Sequence, residues 1–239
     1  MNTTTCTYHH GSTLLEAYIA YPEESHGPKP LVFVCHAFQG RDGFACAKAE
    51  ELATLGYVGF ALDLYGKGVL GRTNSESNAL MTPFMKDRMF LRERLAAAIT
   101  AACALPGVDP QQLAVIGFCF GGLCALDMAR NFVEIKGALS FHGLLMPPAT
   151  SERLPAINAK VLALHGYKDP LVPPEQLALF ADEMDSYQAD WQLHVYGQAL
   201  HAFTRPGAND PGFGTVYNQR ADQRSRGSML DFLQECFGI

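Results

Sequence analysis

Charge is sparse in this chain and long apolar runs are missing. No stretch approaches the ~18 consecutive apolar residues that a membrane span requires. Met1-Asn2-Thr3-Thr4-Thr5-Cys6 has neither the basic segment nor the apolar core of a secretory leader. A cytoplasmic protein without a membrane partner is therefore expected. Only 18% of the 239 residues are charged, and the 18 Lys and Arg are scattered and outnumbered by 24 Asp and Glu, for a net charge of −6. Without a basic stripe, nucleic-acid binding has no support. The chain also lacks H-E-x-x-H and the cysteine spacing of a zinc ribbon, and no G-x-G-x-x-G follows the first buried strand, so no metal and no dinucleotide cofactor is expected. Its seven cysteines are odd in number and mostly sit in apolar runs, as small buried hydrophobes do. Cys119 stands apart from the other six.

What is present is a core-forming composition, 48% hydrophobic, with no repeat or low-complexity stretch. Apolar strand-like runs alternate with helical patterns, which predicts a mostly parallel sheet of about eight strands with helices on both faces. No linker divides the chain, so one α/β domain over 1–239 is expected. Residues 1 to about 20 alternate and turn at His10-Gly11-Ser12, as an edge hairpin does. Leu31–Cys35 and Tyr57–Leu62 read as buried strands flanking a helix from Phe44 to Leu55 that stops at Gly56. A loop is expected from Gly66 to about Ser77, then a helix from about Asp87 to Ala104. Leu113–Gly117 reads as the central strand, Gly121–Asn131 as a helix, and Gly137–Phe141 and Lys160–His165 as strands. Pro174–Ser186 is predicted helical, Trp191–Tyr196 a strand, Gly207–Gly214 a loop, and Asn218–Phe237 the last helix.

Gly117-Phe118-Cys119-Phe120-Gly121 fits G-x-S-x-G with cysteine in place of serine, between a buried strand and a helix. The turn that pattern demands is tight enough that a Cβ on either flanking glycine would collide with it. The helix that follows favours negative charge at its start, which suits a thiolate. Taken alone, the motif is short enough to be a glycine-rich turn carrying a buried cysteine. Cys124 lies a turn further on among Leu123, Ala125 and Leu126 and reads as core.

Acid and base should follow the nucleophile in the order Asp, then His. Asp169 lies in Gly166-Tyr167-Lys168-Asp169-Pro170, just past a strand, although an Asp before Pro is also an ordinary turn residue. His201 follows the strand Trp191–Tyr196. The remaining histidines fit less well: His9, His10 and His26 belong to the hairpin and its exit, His194 lies within a strand, and His142 and His165 end strands. Backbone N–H groups of Phe120 and of Phe38, in the loop His36-Ala37-Phe38-Gln39-Gly40, are the expected oxyanion donors, with Ala37 as the alternative to Phe38. Phe38, Tyr65, Phe118, Phe120, Phe141 and Phe203 are candidates to line an apolar pocket.

These pieces together resemble the dienelactone hydrolase family. The similarity runs from about Leu31 to Phe237 and is carried by Ala61-Leu62-Asp63-Leu64-Tyr65, Gly117-Phe118-Cys119-Phe120-Gly121-Gly122, His165-Gly166-Tyr167-Lys168-Asp169 with Val172-Pro173, and His201-Ala202-Phe203 with Arg205. The resemblance implies an α/β-hydrolase fold, a Cys119-His201-Asp169 triad, hydrolysis of an enol lactone through a thiol ester, and Arg205 as the arginine that binds a substrate carboxylate. Tyr65 and Ala37 join Arg205 as substrate-side candidates. Ala37 stands where the family carries a glutamate that governs the charge of the resting thiol.

The expectation is thus a cofactor-free hydrolase of small esters, lactones or thioesters. The alternative, motivated by Ala37, is a scaffold that binds a small ligand without turning it over. A redox sensor at Cys119 is a third reading, without an obvious resolving thiol. Oligomeric state is left open.

Overall fold

The computed structural model describes residues 1–23, 27–148 and 156–238; His26 lies outside them. The main sheet has eight strands in the order β1-β2-β4-β3-β5-β6-β7-β8. The chain divides into two compact units, Met1–Val115 and Ile116–Ile239, and β5 (Val108–Phe118) runs through the boundary.

In the first unit, β1 (Asn2–His10) and β2 (Thr13–Tyr21) form the expected antiparallel hairpin, registered from Asn2 opposite Tyr21 to His10 opposite Thr13. Gly11 closes it at φ 57°, the positive dihedral that a two-residue turn requires. β3 (Lys29–Cys35) and β4 (Val58–Ala61) pair in parallel, joined through α1 (Gly43–Thr54). The helix lies so close to β4 that a Cβ on Gly59 would sit 2.2 Å from the Ala49 carbonyl oxygen. The sequence misplaces one element here. The loop expected up to Ser77 ends earlier, at α2 (Asn74–Lys86), whose start is capped by Thr73 Oγ1 accepting from Glu76 N–H. Pro83 lies within α2, and only Ser77 and Phe84 are buried, so no apolar stripe advertises the helix. Asp87 ends α2 and caps α3 (Arg88–Cys103) by accepting from Phe90 N–H.

In the second unit come α4 (Phe120–Asn131), β6 (Ile135–Phe141), β7 (Lys160–Gly166), α5 (Pro174–Ser186) and β8 (Trp191–Tyr196). β6, β7 and β8 pair in parallel. A Cβ on Gly122 of α4 would meet Ser140 Oγ at 2.5 Å, and a Cβ on Gly137 would meet Cys236 Sγ at 2.2 Å. Gly137 and Ser140 are three residues apart on β6, hence on opposite faces. Helix α4 therefore covers one face of β6, and α6 (Gln219–Phe237) covers the other. The expected loop over 207–214 carries a small ribbon that the sequence does not announce, β9 (Asn209–Asp210) paired antiparallel with β10 (Thr215–Val216).

Arg130 of α4, 1% exposed, forms a two-pronged pair with Glu183 of α5 (Nε–Oε1 2.8 Å, Nη2–Oε2 2.7 Å) and a third contact with Asp127 (Nη1–Oδ1 3.1 Å). Among the described residues no helix is long and apolar enough to cross a membrane.

Candidate active site

Cys119 sits at the turn from β5 into α4 with φ 58° and ψ −119°. A non-glycine residue held there stores about 1–3 kcal/mol of strain, and the surroundings account for its persistence. Its N–H donates to the Phe141 carbonyl at 3.0 Å, and its own carbonyl accepts from Gly122 N–H at 2.9 Å, opening the helix. The turn closes so tightly that a Cβ on Gly117 would lie 1.9 Å from the Gly121 carbonyl oxygen. Glycine at 117 is thus a steric requirement of the elbow. Phe120 follows as the first residue of α4. Cys124 is fully buried within that helix, in agreement with its reading as core.

Asp169 lies in the turn after β7, where its N–H donates to Gly166 O at 3.0 Å. One carboxylate oxygen, Oδ1, accepts from Leu171 N–H at 2.9 Å, and Oδ2 faces His201 Nδ1 at 2.7 Å. Tyr167 and Lys168 donate their N–H groups to Tyr196 O and Ala199 O, which fastens this turn to the segment after β8. His201 is held from the other side by the β9–β10 ribbon. Its N–H donates to Gly214 O at 2.9 Å and its carbonyl accepts from Val216 N–H at 3.0 Å. Asp169 and His201 are 4% and 1% exposed, so water screens their interaction little.

Burial by itself would make His201 give up its proton. The field of Cys119 and the hydrogen bond to Asp169 outweigh that penalty and push its pKa up to about 10. The neighbouring histidines move the other way. His142 is lowered by burial and then by the charges of His201, Arg205 and His165. His165 is lowered by burial and by His201, with Asp169 opposing. Of the three rings, His201 is the one equipped to carry a proton, and Asp169 fixes which of its nitrogens faces away from the carboxylate.

The expected site residues fall into two groups. Cys119, Phe120, Asp169 and His201 are together in the second unit, and half-buried Arg205 is close enough for its charge to bear on His142. Ala37, Phe38 and Tyr65 are together in the first unit, where Tyr65 Oη donates to the Phe38 carbonyl at 3.1 Å and His36 Nδ1 donates to the Ala37 carbonyl at 2.7 Å. Of the expected pocket aromatics, Phe118, Phe120, Phe141 and Phe203 are buried at 3% exposure or less, with Phe118 stacked on Phe141 at 4.6 Å between centroids, so they pack as core. Outside the expected site, the side chains of His142 and Thr204 meet at 2.9 Å beside His201. A clue was available, since His142 follows the carboxyl end of a parallel strand, where α/β sheets place their reactive groups.

A model of the dienelactone hydrolase family matches residues 15–237. The chain belongs to the dienelactone hydrolase family. It is similar to a crystallised dienelactone hydrolase-like promiscuous phosphotriesterase from metagenomic libraries, with 33% identity, a TM-score of 0.92 and coverage of 99% of this chain and 98% of that one. A Yersinia pestis protein provisionally named carboxymethylenebutenolidase is 31% identical over 92% of this chain and 84% of its own length. A Bradyrhizobium protein provisionally named 2-oxo-3-(5-oxofuran-2-ylidene)propanoate lactonase is 29% identical over 78% of each. With the family comes the α/β-hydrolase fold, and this dienelactone hydrolase-like chain is a hydrolase.

Proposed function

We propose that this dienelactone hydrolase-like protein cleaves small esters, lactones or thioesters through a Cys119-His201-Asp169 triad. The observation that carries the reading is the buried 2.7 Å contact between His201 Nδ1 and Asp169 Oδ2, on a histidine whose proton is retained by the Cys119 charge. The resting pair is then thiolate and imidazolium. The Cys119 sulfur forms a bond to the substrate carbonyl carbon, and the Phe120 N–H receives the developing oxyanion. Collapse breaks the carbon–oxygen bond of the leaving group, which takes the proton from His201. Neutral His201 then draws a proton from water as it attacks the thiol ester. Cys119 departs as thiolate, and the imidazolium is restored. Asp169 holds the ring throughout.

The lactonase names among the relatives and the position of Arg205 favour a substrate with a carboxylate beside the reacting carbonyl. The phosphotriesterase relative adds neutral aryl phosphotriesters to the classes worth testing. The experiment is a rapid-quench panel of an acidic enol lactone, a neutral aryl ester and a neutral aryl phosphotriester, with intact-protein mass read in the first turnover. An acyl adduct on Cys119 and a product burst are expected with the carboxylic substrates. Steady turnover with no burst and no adduct on Cys119 under any condition would remove the covalent mechanism.

A pH dependence follows from His201. The imidazolium persists until pH rises through about 10, so the basic limb of kcat/KM should lie near there. Asp169→Asn removes a charge and weakens the hydrogen bond that favour the protonated ring, so this limb should move to lower pH. An unmoved basic limb in an active Asp169→Asn enzyme would detach Asp169 from His201.

A further inference from the structure

Three histidines stand at neighbouring strand ends in the second unit: His142 after β6, His165 at the end of β7, and His201 after β8. His201 and its contact with Asp169 are explained by the triad. His142 is not. Its ring lies edge-to-face against His201, with centroids 5.1 Å apart and planes at 66°, and against Phe203 at 5.1 Å and 79°. Nε2 is tied to Thr204 Oγ1 at 2.9 Å, across 62 residues of sequence. Nδ1 is buried without a hydrogen-bond partner, and the residue is 2% exposed. The backbone takes φ 39°, a left-handed conformation uncommon for a ring-bearing residue, and is fixed there by the His142 N–H donating to Leu164 O at 2.8 Å. A strained backbone, an unsatisfied nitrogen and a tether to Thr204, the residue just before the substrate-side Arg205, converge on one ring beside the base.

We propose that His142 is a positioning residue for the His201 base: tied through Thr204, its ring forms the wall that keeps His201 turned with Nδ1 toward Asp169. The proposal rests on the triad reading of His201. The groups facing His142 suit this part. His201 and Arg205, from the segment after β8, and His165, from β7, surround it with positive or potentially positive charge, and with burial they keep it neutral. A charged ring at that distance would repel the proton that His201 has to carry. The Thr204 hydroxyl can donate to Nε2, which occupies the lone pair a proton would need and fixes the ring against rotation.

The test is kinetic, with one reading taken on the unaltered protein. Thr204→Val keeps the side-chain shape and removes the tether. It should leave Tm within a few degrees of the parent and lower kcat about ten- to hundred-fold through misplacement of the base, with KM little changed. The acid limb of kcat/KM should move to higher pH, because untied His142 takes a proton more readily and then opposes the imidazolium. Thr204→Ser, which keeps the hydroxyl, should restore both rate and profile. Nitrogen NMR of the histidine rings in the parent should find His142 neutral and not titrating across the range in which an ordinary histidine does. Parental kcat and pH profile in Thr204→Val, a loss that serine does not restore, or a His142 ring titrating normally would each overturn the proposal. Turnover surviving in Cys119→Ala would instead strike the triad reading. Turnover lost in Cys119→Ala but parental in Thr204→Val would leave the triad standing and remove only His142.

Discussion

Cys119→Ala should lower the turnover of any carboxylic substrate by at least about 10⁴-fold, the scale on which removal of a covalent nucleophile is felt when binding and oxyanion stabilisation are left behind. The loss belongs in kcat, with KM little altered, because the thiol's contribution arises only once the carbonyl is attacked. Cys119→Ser is the more searching variant. It puts a hydroxyl nucleophile on the same strained turn in place of the thiol and removes the charge that helps raise the pKa of His201. His201 should then fall back toward a neutral ring that must act as a general base, so residual activity should rise along an ordinary histidine titration. Iodoacetamide supplies an independent reading. Cys35 and Cys236 are buried and their thiols are pushed up by burial, as are those of Cys6 and Cys46. Cys119 is partly accessible at a helix start, so alkylation should strike it first, and loss of activity should track one label per chain. An alanine variant retaining more than about a hundredth of the parental rate would show that the chemistry lies elsewhere.

Much of this site was legible because its pieces have local causes. The elbow needs glycine where a Cβ would strike backbone, and Gly117 is such a position. The order Cys, Asp, His follows from topology: Cys119 and Asp169 trail the buried apolar runs of β5 and β7, and His201 trails the half-exposed β8, visible in the sequence by its alternation. Pro174–Ser186 and Trp191–Tyr196 end where expected, the first with proline in its opening turn, where a missing N–H costs nothing. What was not legible has physical reasons too. Helix α2 carries an internal proline and little buried surface, so its period is faint. Strands β9 and β10 have two residues each, too few for any alternation, yet their ribbon holds the backbone of His201. The His142–Thr204 contact joins two loops whose meeting depends on the packing of β6, β7 and β8, and no local pattern encodes it.

The same limit applies to the buried ion cluster, where the second large effect is expected. Arg130 and Asp127 share α4, but Glu183 comes from α5, and the guanidinium is fully buried with a further contact to the Leu145 carbonyl at 3.3 Å. Burial disfavours the charge, but the hydrogen bonds to Glu183 and the fields of both carboxylates outweigh it and raise the pKa of Arg130. Glu183→Ala removes the two shortest of these contacts and strands Nε and part of Nη2 away from water. Breaking one partner out of such a buried pair costs about 3–5 kcal/mol, against a total stability of about 5–15 kcal/mol for a typical protein. Urea unfolding should show the midpoint falling by the corresponding amount with an unchanged slope, and added salt should alter the difference little because the pair is shielded from solvent. Glu183→Gln, which keeps an acceptor while losing the charge, should cost less. Replacing Arg130, Asp127 and Glu183 together with apolar residues of matched volume should recover most of the stability, because the penalty comes from an uncompensated buried charge and not from the absence of an ion pair. If Glu183→Ala unfolds within about 1 kcal/mol of the parent, Asp127 and the Leu145 carbonyl alone satisfy the guanidinium, and the α4–α5 clamp contributes no more than an exposed pair would.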